Sequence, residues 1–282
     1  MDGFLLIHKP IGMTSHDVVL KIRKKFHEQK IGHTGTLDPF ASGLLILCLG
    51  KATKLAYLFS DLDKSYDGTI VFGKHYDTYD VTGKVEKEDD VFLIEAEIKD
   101  AMQTFVGEYE QIPPMYSALK VDGKKLYDIA RAGETVDRES RLVRIDQFEM
   151  TSPFVHDECQ FITHVSKGTY IRSLAVDLAT KLKTYGALKQ LNRRSIGPYT
   201  LENAKKIEEV SVSDLISLES FFEHTHSIQL NDYMIKLVKN GIYLDDRQIK
   251  TDKPFIVKDQ HGNMVAYYTL IDEHQYRPVL IF

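Results

Sequence analysis

Gly32-His33-Thr34-Gly35-Thr36-Leu37-Asp38-Pro39 is the most unusual stretch of this chain. Two glycines leave the backbone free to approach a ligand closely. Thr34 and Thr36 supply hydroxyls, and Asp38 precedes a proline, which restricts its backbone to extended or turn conformations. The run continues through Phe40, Ala41, Ser42 and Gly43 into Leu44 to Leu49, an apolar segment of strand length. A stiff loop that presents a carboxylate and feeds a buried strand suits a nucleophile or a base. An Asp-Pro turn, with the aspartate capping nearby backbone, fits the same spacing. Gly32-x-x-Gly35 after a basic helix also has the form of the phosphate-clamping loop of KH domains. A KH loop opens directly into another helix, whereas here Pro39, Ser42 and Gly43 precede a strand. No Gly-Lys-Ser/Thr follows, which excludes a P-loop. His33 and Asp38 lack a third metal ligand at suitable spacing.

Outward from this loop, Phe4 to Ile7 reads as a first strand stopped by Pro10 and Gly12. Thr14-Ser15 caps a helix expected to run to about Gln29, with Val18, Val19, Ile22 and Phe26 at helical spacing. Ile31 to Gly43 reads as loop, and Lys51 to Phe59 as a short helix. Tyr66 to Phe72, Leu142 to Met150 and Gln160 to Val165 alternate as strands. Phe92 to Phe105 is helical, Ile112-Pro113-Pro114 breaks the chain, and Val121 to Lys124 is a turn signal. Thr169 to Leu182 is an amphipathic helix with Ile171, Leu174, Ala175, Leu178 and Leu182 on one face. Arg172 lies near its start, off that face. Residues 207–223 read as an acidic helix. From about residue 225 the texture changes to short strands, Phe255–Val257, Met264–Leu270 and Val279–Ile281. Strands and helices mix without regular β-α alternation. The fold class expected is therefore α+β, helices packed on a largely antiparallel central sheet, with a small β-rich C-terminal domain. The domains fall at 1–224 and 225–282.

The 282 residues are 43% hydrophobic and 27% charged, an ordinary globular balance. The N-terminal apolar run, Phe4 to Ile7, is too short for a signal peptide or a membrane span, which points to a soluble cytoplasmic protein. Cys48 and Cys159 stand alone, with no metal or disulfide spacing. Cys48, inside an apolar run, reads as a small core residue. Net charge is −5, but residues 1–60 carry eight Lys/Arg against four Asp/Glu, and residues 181–206 seven against one. Two basic districts on an acidic chain favour an anionic partner.

The block Gly32 to Leu45 resembles the signature of the TruB family of tRNA pseudouridine synthases. Further matches run in family order: Lys9-Pro10-x-Gly12-x-Thr14-Ser15, then Gly50-x-Ala52-Thr53-Lys54, then Lys64-x-Tyr66. Gln111-Ile-Pro-Pro-Met-Tyr-Ser-Ala-Leu-Lys120, Gly123 to Tyr127, and Ser166-Lys-Gly-Thr-Tyr-Ile-Arg172 complete the series. The resemblance covers about residues 2–200 closely, and residues 225–282 resemble a small PUA-like domain weakly. Tyr76 stands where the family usually has threonine, and Asn192 interrupts a common Leu-Arg-Arg run.

The resemblance implies isomerisation of a tRNA T-loop uridine, position 55, to pseudouridine, with no cofactor and no metal. The glycosidic bond breaks, the uracil turns, and it is rejoined through carbon. Asp38 is implied as nucleophile, Arg172 as its cationic partner, and Tyr66 as the residue that stacks on the flipped uracil and helps remove its C5 proton. Tyr170 and Leu191 would line the pocket, and His33 would fill the gap left in the RNA stack. Lys9, Lys21, Lys24, Lys54, Lys124, Lys125, Arg193 and Lys205 are candidate phosphate contacts. The partner is the T-arm stem-loop of tRNA, bound by a monomer, with no membrane. Two rivals stand beside this reading. One is an RNA-binding or RNA-folding module without turnover. The other is a glycosidase or glycosyl transferase, which would want a second carboxylate; none is marked out near these motifs.

Overall fold

The computed structural model describes residues 1–117, 119–121 and 123–282, without the side chains of Lys120, Val121 and Lys125. The expected turn at Val121–Lys124 and the phosphate contact expected of Lys125 lie, wholly or in part, outside the described residues. The first strand, β1, is Gly3–Lys9. Helix α1 follows at Ser15–Phe26, opened by a capping box between Thr14 and Asp17. It stops three residues short of expectation, where His27 turns left-handed at φ 53°. The stretch expected as loop has strand at both ends. Ile31–His33 forms β2, and β3 already begins at Ser42 and runs to Leu49. Strand β4 is Lys64–Phe72, helix α2 Glu95–Gln103, β5 Gly107–Gln111, β6 Arg141–Met150 and β7 Glu158–Val165. Helix α3 is Ile171–Lys181 and β8 is Gly186–Ile196.

These strands build one large sheet, ordered from the Lys205–Lys206 edge through β1, β3, β8, β4, β7 and β6 to β5. Most neighbours are antiparallel; β8 meets β3 in parallel at Asn192 and Arg193. Alternation along β1 and β3 divides two cores. Leu5, Ile7, Leu45 and Leu47 pack with Val18, Val19 and Ile22 of α1. Phe4, Leu44, Ile46 and Cys48 face the other way, towards Phe59 and the C-terminal sheet. That double burial is why Leu44 to Leu49 is apolar without a break. A third core joins Tyr66, Ile70 and Phe72 of β4 to Ile98 and Met102 of α2 and to Leu174 and Leu178 of α3.

A second sheet holds Ser227–Gln229, Phe255–Lys258, Met264–Leu270, Gln275–Ile281 and Leu244–Asp245, in that order. It carries a helix, Asp232–Lys239, that the β-rich expectation omitted. Ile256, Tyr267 and Leu280 pack on Phe4 and Phe59 of the large sheet.

Residues 207–223 are not a continuous helix. They form turns, a two-residue strand, Ile216–Ser217, paired with β1, and one helical turn, Leu218–Phe221. Ser211 and Ser217 cap separate turns, and Lys25 Nζ takes the carbonyls of Ile207 and Glu208. Side chains that bond nearby backbone compete with the helical ladder.

Candidate active site

Register brings the pocket wall together. Tyr66 on β4 lies opposite Arg193 on β8, and Gly68 opposite Leu191. Gly43, at φ 116°, sits against the backbone of Arg193, where a Cβ would collide with its N and O. Only glycine lets β3 and β8 meet there, directly after the Asp38 loop. The loop itself is pinned from α1. Ser15 Oγ accepts from Leu37 N at 2.9 Å and donates to Leu37 O at 3.2 Å. Leu37 is buried in the core beside Tyr66 and Ile171. Gly12 N donates to Pro39 O at 2.8 Å. Asp38 is thus held on both sides by anchored backbone.

Helix α3 delivers the counter-charge. Its cap residue, Tyr170, is extended, and Arg172 follows in the first turn. Arg172 Nε meets Asp38 Oδ2 at 2.8 Å. Its other nitrogens donate to Thr78 O at 2.9 Å and Tyr116 O at 2.8 Å, which fixes the plane of the guanidinium. Arg172 is buried, whereas the Asp38 side chain keeps 34% of its surface open. Burial raises the Asp38 pKa above the ordinary carboxylate value, Arg172 pulls against it, and the charge of Asp80 adds to the rise. An opposite charge at this distance favours the ionised form that a nucleophile needs.

The cavity over Asp38 has a volume of about 540 Å³. Tyr66, Tyr170, Arg172 and Leu191 all line it, as do Lys64 and Arg193. Four side chains up to 153 positions from Asp38 in sequence therefore share one cavity with it. The pKa of Tyr170 is raised, chiefly by burial. Lys64 donates to Ser60 O and Leu62 O, and burial brings its pKa down to about 8.

His33 stands apart from this wall. It sits in β2, opposite Leu47, and burial followed by the charge of Arg193 lowers its pKa. Lys54 is exposed on a 3-10 turn, Gly50–Leu55. Two candidate phosphate contacts are corrected. Lys9 is fully buried, donates to Pro10 O and Met13 O, and has its pKa brought down to about 8, chiefly by burial. Arg193 is likewise buried and donates to Leu44 O and Thr36 O. Lys9 braces the Pro10–Met13 turn and offers no open cation to a phosphate, whereas Arg193 braces the Asp38 loop at Thr36 and lines the cavity from its floor.

Sequence reading did not single out Ser15, Lys64, Asp80 or Gln111 individually, although Ser15, Lys64 and Gln111 lie inside quoted motifs. Asp80 carried no signal. It is buried, accepts bonds from Thr82 N and Thr82 Oγ1, and does not line the cavity. Cys48 and Cys159 are buried core thiols with pKa pushed up to about 12 by burial.

The fold has a close solved counterpart. The crystal structure of a Cbf5-Nop10-Gar1 complex superposes with a TM-score of 0.71 at 23% identity, covering 99% of this chain and 84% of that one. The architecture is that of the pseudouridine synthases. Residues 23–171 match the N-terminal domain of TruB family pseudouridylate synthases. A protein of Onion yellows phytoplasma (strain OY-M) named tRNA pseudouridine synthase B is 56% identical over 283 residues, covering all of both chains. Another of that name, from Acholeplasma laidlawii (strain PG-8A), is 51% identical over 282 residues, again covering all of both. The chain belongs to the TruB family of pseudouridylate synthases.

Proposed function

We propose that this chain isomerises the uridine at position 55 in the tRNA T-loop to pseudouridine, with Asp38 as nucleophile. The observation that carries the reading is the Asp38–Arg172 pair at 2.8 Å, at one wall of a tyrosine-lined cavity. Family membership supports the reaction, and the name shared by the relatives supports tRNA as the substrate.

The cavity is of a size for one nucleotide, within the roughly 300–1,000 Å³ of ordinary ligand pockets. The uridine leaves the RNA stack to enter it, at a cost of a few kcal/mol. Stacking on an aromatic ring such as Tyr66 returns about 1–3 kcal/mol. Asp38 attacks the sugar or the base, the glycosidic bond breaks, and the uracil turns to rejoin the ribose through C5, with the bond to Asp38 broken and its carboxylate restored. Tyr66 helps remove the C5 proton, and N1, freed from the sugar, takes up a proton, so that the net change is an isomerisation. Arg172 keeps Asp38 ionised until it acts, and Tyr170 and Leu191 hold the turning ring. His33 fills the gap in the RNA stack, and Lys54 meets phosphate from the rim. No helix among the described residues is long and apolar enough to cross a membrane. Residues 1–224 act as the catalytic domain and 225–282 as a small domain, in a cytoplasmic monomer.

The test uses a T-arm hairpin tritiated at uracil C5, incubated with the parent and with Asp38→Ala. Isomerisation releases the tritium to water. Release by the parent and none by the variant supports the reading. Equal release by both rejects Asp38 as nucleophile, and binding without release by either turns the reading to an RNA-folding module.

A further inference from the structure

Three polar side chains behind the pocket have no part in the chemistry so far. Gln111 closes edge strand β5 and is 1% exposed. Its carboxamide grips the backbone of Tyr170 on both sides. Oε1 accepts from Tyr170 N at 2.7 Å, and Nε2 donates to Tyr170 O at 3.1 Å. The same Nε2 also donates to Tyr109 Oη at 2.7 Å. Tyr109 Oη in turn donates to Asp177 Oδ2 at 2.8 Å. Asp177 lies in α3, the helix that Tyr170 caps and that carries Arg172. A fifth bond, Ser173 Oγ to Ile112 O at 2.8 Å, ties the residue after Arg172 to the residue after Gln111.

We propose that Gln111, backed by Tyr109 and Asp177, is a positioning residue that sets Tyr170 in the pocket wall and Arg172 against Asp38. This rests on the catalytic reading above. The chemistry of the contact is specific. Tyr170 is the cap residue of α3 and has no side-chain cap bond of its own. Its N–H lies off the helical ladder, and its C=O, which accepts the first helical bond from Leu174 N at 3.0 Å, keeps a second lone pair; a carboxamide is the side-chain group that offers one donor and one acceptor to a single residue's backbone. The string then closes a loop of bonds from strand to helix cap, strand to helix interior, and back along the helix. The cap cannot slide along its axis without breaking two of them. Arg172 is two residues further on and touches Asp38 through one nitrogen only, so a shift of about 1 Å at Tyr170 carries straight to the reacting carboxylate. Misplacement on that scale reduces rates by up to about a hundredfold.

The prediction is read in single-turnover tritium release at saturating RNA, with RNA affinity and thermal midpoint measured alongside. Gln111→Met keeps the length and apolar bulk but removes both amide contacts. It lowers the single-turnover rate roughly 10- to 100-fold with RNA affinity within about threefold. Tyr109→Phe removes one oxygen from the string, lowers the rate less, and serves where Gln111→Met fails to fold. A cycle with Tyr170→Phe separates positioning from general stability. If Gln111 acts through Tyr170, the double variant is faster than the product of the two single effects. Multiplicative effects, or parental rates for folded Gln111→Met and Tyr109→Phe, overturn the proposal. A parent that releases no tritium at all overturns the catalytic reading on which it rests, and is distinguished by that control.

Discussion

Replacing Arg172 by methionine tests the centre of the proposed chemistry. The substitution keeps bulk in a buried site and removes the cation that faces Asp38 at 2.8 Å. Two limits bracket the loss. Breaking a fully buried pair costs about 3–5 kcal/mol, whereas exposed pairs contribute about 0–1 kcal/mol. Asp38 is 34% exposed and Arg172 6%, so the loss falls between these limits, at about 2 kcal/mol after allowance for solvent screening. Borne by the reacting carboxylate, that is about a 30-fold fall in single-turnover rate. The pH profile moves as well. The raised pKa of Asp38 in the folded protein means that activity falls, on acidification, at a pH above the ordinary carboxylate value. Arg172 opposes that rise, so its removal carries the acidic limb to still higher pH. Arg172→Lys keeps the charge but cannot serve Asp38, Thr78 O and Tyr116 O together, and its rate falls between parent and Arg172→Met. Tritium release from the T-arm hairpin, measured from acidic to neutral pH, supplies both readouts. An Arg172→Met rate within about threefold of the parent, with the limb unmoved, refutes the pairing as a catalytic device.

Two further outcomes concern stability. Lys9 titrates at about 8 when folded against 10.5 ordinarily, so between those values the unfolded chain holds a proton that the folded chain lacks. Stability from this group therefore rises with pH across that window. The difference in unfolding free energy between parent and Lys9→Met, by urea titration at several pH values, should rise from pH 8 to 10.5; a flat difference contradicts it. Leu178→Ala empties a fully buried site between α3 and the sheet. It should destabilise by about 2–5 kcal/mol in the same titration, and a loss below about 1 kcal/mol would mean the core closes over the gap.

Local chemistry made much of the molecule legible. Thr14-Ser15 before a helical stripe gave the start of α1, and alternation gave β4, β6 and β7 close to their observed bounds. Strand β8 was missed although it is central and supplies Leu191 and Arg193. Its pairing with β4 shifts register between Leu188 and Gln190, and again between Arg193 and Ser195. Each shift moves following side chains to the other face, so no alternation survives to be read. The helix at Asp232–Lys239 went unread because short strands dominated the texture around it.

The sequence by itself determined the family and the identity of the candidate residues, because long motifs at fixed order survive without reference to space. It also determined where charge and apolar surface lie along the chain. Only the tertiary structure decided which cations are free. Lys9 and Arg193 look like phosphate contacts in one dimension, yet both are buried and donate to backbone carbonyls. Burial is a property of what packs against a residue from distant parts of the chain. The same holds for Gln111 and Tyr170, 59 positions apart in sequence and joined by two hydrogen bonds in space.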